Sequence, residues 1–159
     1  MMSEKLKLFE TEEKKPGYKI KETGETVSFE FLQKIILIYQ ERLKKLSEIT
    51  ELTDFFFKNK LNYDKSLLKW NDMTDKEISQ SLNESEKILS KIKDDDWKKE
   101  SVEKYLLEEA EKTGDRGKLL WPLRVALSGK QASAGPFDIA GILGREKTLK
   151  RIKEAKSLL

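Results

Sequence analysis

From Ser28 onward the apolar positions Phe29, Leu32, Ile36, Tyr39, Leu43 and Leu46 recur at alternating steps of three and four. That spacing puts them on one face of a helix of about five turns. Ile35, Leu37 and Ile38 widen the stripe, so the helix reads as a member of a bundle rather than a coiled-coil seam. Ile49, Leu52, Phe55 and Phe56 keep the helical step, and Phe57 completes an aromatic knot. Three consecutive rings on one short helix cannot all face a ligand, so core packing is expected of them rather than base stacking.

Asn59 to Lys65 reads as a linker. Beyond it Thr74 stands three residues before Glu77, a capping box in which each side chain satisfies the other's backbone N–H, ahead of Ile78, Leu82, Leu89 and Ile92 on one face. Ser101 is placed to cap a helix carrying Val102, Leu106 and Ala110 inward and ending at Gly114. A third helix spans Trp121 to Gly129, with Pro122 in its first turn and Gly129 closing it. Lys130 to Gly135 form a polar loop leading to Pro136 at a helix start, with Ile139, Ile142 and Leu143 inward and Gly144 at the stop. Leu149 and Ile152 should dock the last helix.

Residues 1–25 mix lysine and glutamate around Pro16-Gly17 with hardly any apolar period, and a poorly ordered or strap-like arm is expected there. Almost no stretch alternates with period two, so the expected fold is all-α, as two small helical subdomains in tandem. Residues 26–65 hold the first with its linker, and 66–159 the second.

The chain of 159 residues contains neither Cys nor His. This removes thiol redox work, Cys/His zinc sites and His-based acid–base or nucleophilic catalysis. Carboxylate groups such as Asp94-Asp95-Asp96 and Glu108-Glu109 sit among lysines with no apolar pocket to raise a pKa, and read as solvated surface. No metal site is expected. No apolar stretch approaches the roughly 20 residues needed to span a bilayer, and no signal-peptide pattern opens the chain, so a soluble cytoplasmic protein is expected; a monomer is expected as well.

Charge is segregated. Residues 117–159 carry nine Lys/Arg against three Asp/Glu, or +6, which leaves −3 on the first 116 residues of a chain whose net charge is +3. A basic end on an otherwise acidic chain marks where a nucleic-acid backbone would lie. Amphipathic helices alone would serve a protein-interaction module or a helical DNA-binding domain equally well.

Two ordered blocks separate these readings. Glu41 to Phe57, ERLKKLSEITELTDFFF, and Trp121 to Gly129, WPLRVALSG, followed by the loop to Pro136 and the Gly144-Arg145-Glu146-Lys147 helix, resemble the anticodon-binding end of a bacterial-type glutamyl-tRNA synthetase. The likeness covers roughly Ser28 to Leu159.

In that family the catalytic half is a Rossmann-type domain that activates glutamate with ATP and magnesium, using a His-Ile-Gly-His signature and a Lys-Met-Ser-Lys-Ser loop. This chain has no histidine and no Gly-rich phosphate loop. The resemblance therefore implies a carboxy-terminal fragment that supplies selection of glutamate tRNA and no chemistry or cofactor of its own.

By the same resemblance Ser133, Ala134, Gly135, Pro136 and Phe137 occupy the corner that approaches the first two anticodon bases. Ala134 and Pro136 depart from the commonest arrangement, in which the proline comes earlier. Arg42 is the candidate for the third base, where an arginine would hold a base edge through two parallel donors. Lys45, three residues on, is the candidate for the adjacent phosphate. For Arg124 a structural salt bridge and a phosphate contact both stay open. Lys130, Arg145, Lys147 and Arg151 are further phosphate candidates.

Overall fold

The computed structural model describes residues 6–9 and 17–159. It is a helical architecture of two compact units, 1–60 and 61–159. Of the segment expected to be an arm, residues 1–5 and 10–16 lie outside the described residues. The rest carries strands β1 (Leu6–Phe9) and β2 (Gly17–Ile20), which join β3 (Thr26–Ser28) in an antiparallel sheet of order β1-β2-β3. Tyr18 faces Val27 and Lys19 faces Thr26 across the second pair. Gly24, at φ +74°, turns the chain between those strands and donates its N–H to the Ile20 carbonyl at 2.8 Å.

Ser28 ends β3 and caps helix α1 (Phe29–Tyr39), accepting the Phe31 N–H at 3.1 Å. The seam that α1 buries is Leu32, Ile35 and Tyr39. The apolar stripe is thus turned toward Ile35, leaving Phe29 50% and Ile36 42% exposed. The helix also stops at Tyr39, short of the five turns expected through Leu46. Past it, the Arg42 and Leu43 N–H groups both return to the Tyr39 carbonyl, and Glu48 reaches back to accept the Lys44 N–H at 3.3 Å. These local bonds open a new turn, Leu46–Glu48, that runs into α2 (Ile49–Thr53) and the 3-10 turn Asp54–Phe57. Phe55 and Phe56 are buried and stacked, centroids 4.2 Å apart, with Phe31 edge-on to Phe56 and Phe57. The aromatic knot is core of this unit.

The second unit is a bundle of α3 (Asp75–Ser90), α4 (Lys99–Thr113), α5 (Arg116–Ser128), α6 (Pro136–Leu143) and α7 (Arg145–Lys156). The Thr74–Glu77 capping box forms at the start of α3. Helix α4 begins two residues before Ser101, with Lys98 as its N-cap residue, and ends on the left-handed Gly114. Helix α5 begins at Arg116, because Asp115 accepts the Gly117 N–H at 2.9 Å. Pro122 therefore lies inside α5, not in its first turn. Ile78, Leu82, Leu89, Val102, Leu106, Leu123, Leu127, Ile139 and Ile152 form the centre, each almost fully buried. Each contributes about 1.5 to 3 kcal/mol by leaving water.

Candidate nucleic-acid interface

The loop from Gly129 to Gly135 is held at both ends by the helices it joins. Gly129 closes α5 at φ +66°, a conformation that costs other residues about 1 to 2 kcal/mol, and its N–H returns to the Val125 carbonyl at 2.7 Å. Ser128, buried, donates to the Arg124 carbonyl at 2.8 Å and accepts the Lys130 N–H at 3.1 Å. Beneath this turn Tyr63 packs so close that a Cβ on Gly129 would lie 3.1 Å from its ring. Burial, with the negative charge of Glu154 second, pushes the Tyr63 hydroxyl up to about 12.

Arg124 is turned onto its own loop. Its guanidinium lies 4.4 Å over the Trp121 ring and donates to the Gln131 carbonyl at 2.8 Å, bracing the middle of the loop from α5. Trp121 is itself fixed by its indole N–H on the Leu67 carbonyl at 2.9 Å. At the far end Ser133 donates to the Ala134 carbonyl at 3.0 Å, and Ala134 is buried. Gly135 then starts α6 with no side-chain cap, and Pro136 takes the first helical position. The result is a helix amino terminus opened toward the loop, where unpaired N–H donors and the helix dipole favour an electron-rich group. The one acid of that first turn, Asp138, is matched by Lys99 of α4 at 2.7 Å, and this pairing raises the lysine's pKa.

Two of the expected phosphate contacts are corrected. Arg151 is buried at 1% exposure and donates to the Leu127 carbonyl, ending α5 from below. Burial holds its guanidinium down at about 10. Arg145 turns inward as well, donating to the Ile92 carbonyl at 2.9 Å and the Ser90 carbonyl at 3.0 Å beyond the end of α3. Both arginines satisfy orphan helix-end carbonyls, work that a count of basic residues cannot distinguish from phosphate binding. Lys130 and Lys147 are half-buried on the same unit.

Arg42 and Lys45 are both exposed in the first unit. They lie in the turn after α1, so the three-residue helical step offered as the reason for their sharing a surface does not apply. Sequence reasoning did not find the Trp121–Arg124 stack, the Gln131 carbonyl, Tyr63 or the Lys99–Asp138 pair. Only the Trp–Pro–Leu–Arg run held a local signal for any of them.

The family model described as anticodon binding domain matches residues 6–156. The chain belongs to the anticodon-binding domain family. This domain is 36% identical over 127 residues to a glutamate–tRNA ligase of Clostridium acetobutylicum, covering 77% of the chain and 25% of that relative. It is 35% identical over 146 residues to glutamate–tRNA ligase 1 of Caldicellulosiruptor saccharolyticus, covering 89% and 28%. Among solved structures it is similar to a glutamate tRNA ligase from Elizabethkingia meningosepticum, in complex with its amino acid, at TM-score 0.71 and 28% identity over 87% of this chain and 26% of that one. This anticodon-binding domain thus spans about a quarter of the length of the curated relatives it matches. No helix among the described residues is long and apolar enough to cross a membrane.

Proposed function

We propose that this anticodon-binding domain reads the anticodon of glutamate tRNA for a cytoplasmic glutamate–tRNA ligase. The observation that carries the reading is the corner at Ala134, Gly135 and Pro136. There α6 starts without a side-chain cap on a loop that Arg124 braces through the Gln131 carbonyl. Backbone donors fixed on a rigid helix start can discriminate between base edges without a mobile side chain. In this reading Ser133 to Phe137 meet the first two anticodon bases, Arg42 the third, and Lys45, Lys130 and Lys147 the backbone. Arg124 acts by shaping the loop.

Attachment of glutamate with ATP and magnesium is assigned to the remaining length of such a ligase. The described residues offer no three-residue cluster of carboxylates that could hold a metal, and the sequence offers no Gly-rich phosphate loop.

The test is a binding titration of the full chain against glutamate tRNA and against the same tRNA with each anticodon base changed, at two salt concentrations. A preference of about tenfold or more, surviving the higher salt, is the expected result and matches one good base contact. Equal and steeply salt-dependent binding to every variant would reduce the domain to a basic helical surface.

A further inference from the structure

Between the end of α3 and the first turns of α4 the second unit has an open concavity of about 370 Å³, into which Lys91, Lys93, Lys98 and Lys104 converge. Among the described residues none of these four side chains makes an ion pair or donates a hydrogen bond, although the chain holds 29 acidic residues. Several lysines elsewhere on this unit are paired, among them Lys65 with Asp75 at 2.6 Å, Lys99 with Asp138 at 2.7 Å and Lys112 with Glu109 at 2.8 Å. The concavity admits one carboxylate, that of Asp96, and its wall includes Tyr105, 42% exposed.

We propose that this concavity is a second RNA contact, a seat for backbone phosphates of the RNA read at the α6 corner. The proposal rests on the anticodon-reading function above. Its placement follows from how α4 is fixed to α6. Trp97 donates its indole N–H to the Ala140 carbonyl at 2.9 Å, and Lys99 is paired to Asp138. Gly141 lets the backbones approach so closely that a Cβ there would lie 3.1 Å from the Lys99 nitrogen. Asp138 stands about 5 Å along the α6 axis from Gly135, so α4, which carries Lys98 and Lys104 of the lysine-lined wall, is fixed to the helix whose start forms the base-reading corner. Compact, mobile ammonium groups around an open groove suit a phosphate chain, to which each acts as a point charge. The tyrosine face offers a surface for a base or ribose beside that chain.

The experiment compares the full chain with K93Q/K104Q, D96N and K93R/K104R, titrated with glutamate tRNA and an anticodon-changed tRNA between 50 and 200 mM salt. All three positions are exposed, and circular dichroism checks that each variant is folded. The glutamine variant is expected to weaken binding equally for both RNAs and to lower the slope of log K against log salt by roughly 0.7 to 0.9 per lost contact. D96N should tighten binding, and the arginine variant should restore the slope. An unchanged slope with anticodon preference intact overturns the concavity as an RNA contact and leaves the base-reading corner standing. A lowered slope without anticodon preference in the unaltered chain keeps the phosphate contact and overturns the base reading, while absence of binding at 50 mM salt overturns both.

Discussion

The Ser81 hydroxyl of α3 donates to the Lys118 carbonyl of α5 at 2.8 Å. That carbonyl is the acceptor that Pro122, four residues on and without an N–H, leaves unfilled. The neighbouring helix thus repairs a break that the proline makes inside α5, and the same hydroxyl lies 3.5 Å from the Leu119 carbonyl. We expect Ser81→Ala to destabilise the domain by about 1 kcal/mol in urea unfolding. Pro122→Ala restores an N–H to the helix, so the double variant should be less destabilised than the two single changes summed. Strict additivity would show that water, not Ser81, satisfies that carbonyl.

Gly117 is fixed by a neighbour rather than by its backbone. A Cβ there would lie 2.2 Å from the Trp70 indole, whose N–H donates to Asp115, the cap of α5, at 3.2 Å. Gly117→Ala must push Trp70 away and disturb the cap, at an expected cost of about 1 to 3 kcal/mol. Thermal unfolding measures the loss, and tryptophan fluorescence should shift because Trp70 lies 5.3 Å from Trp121.

Tyr63 and Arg151 respond to alkali with opposite signs. The Tyr63 hydroxyl is raised to about 12, so its contribution to stability is full below pH 10 and is lost as pH rises through 12. Arg151 is lowered to about 10, so the cost of burying its charge is full below that pH and is relieved as pH climbs toward 12.5. Relative to the unaltered chain, Tyr63→Phe should gain stability between pH 10 and 12. It should also lack the phenolate absorbance step near pH 12. A parallel pair of stability curves would refute the burial of Tyr63.

Acid acts at the other end of the same unit. The backbone and hydroxyl of Thr74 hold the Glu77 carboxyl below its ordinary 4.5. A lowered folded pKa gives stability that is present above 4.5 and lost as pH falls through the folded value. Unfolding curves of Glu77→Gln and the unaltered chain should therefore differ at neutral pH and converge in acid.

Helices whose ends carry a chemical signal were legible in the sequence. Thr74 with Glu77, Gly114, Gly129, Pro136 and Gly144 each mark an end through a side-chain bond or a backbone conformation that few other residues supply. The end of α1 was not legible, because its apolar step continues through Leu43 while the chain leaves the helix for bonds to Tyr39 and Glu48. The sheet was hidden by brevity: strands of three and four residues are too short to establish a period of two. In the interface, the loop and helix start follow from Gly129 and Pro136. The inward turns of Arg145 and Arg151 do not, since their partners are carbonyls 53 and 24 residues away.

Those long reaches set the order in which the second unit can be completed during synthesis. Helix α7 supplies Arg145 to the carbonyls past the end of α3, Arg151 to α5, and Lys156 to Asn83 and Glu86 on α3. At ribosomal speeds of about 5 to 20 residues per second, α3 emerges roughly 3 to 13 seconds before the last of these partners. Through that interval its apolar face, with Ile78, Leu82 and Leu89, waits without the helix that locks it. The nascent second unit therefore stays incompletely closed, and open to proteases and holding chaperones, until α7 has left the ribosome.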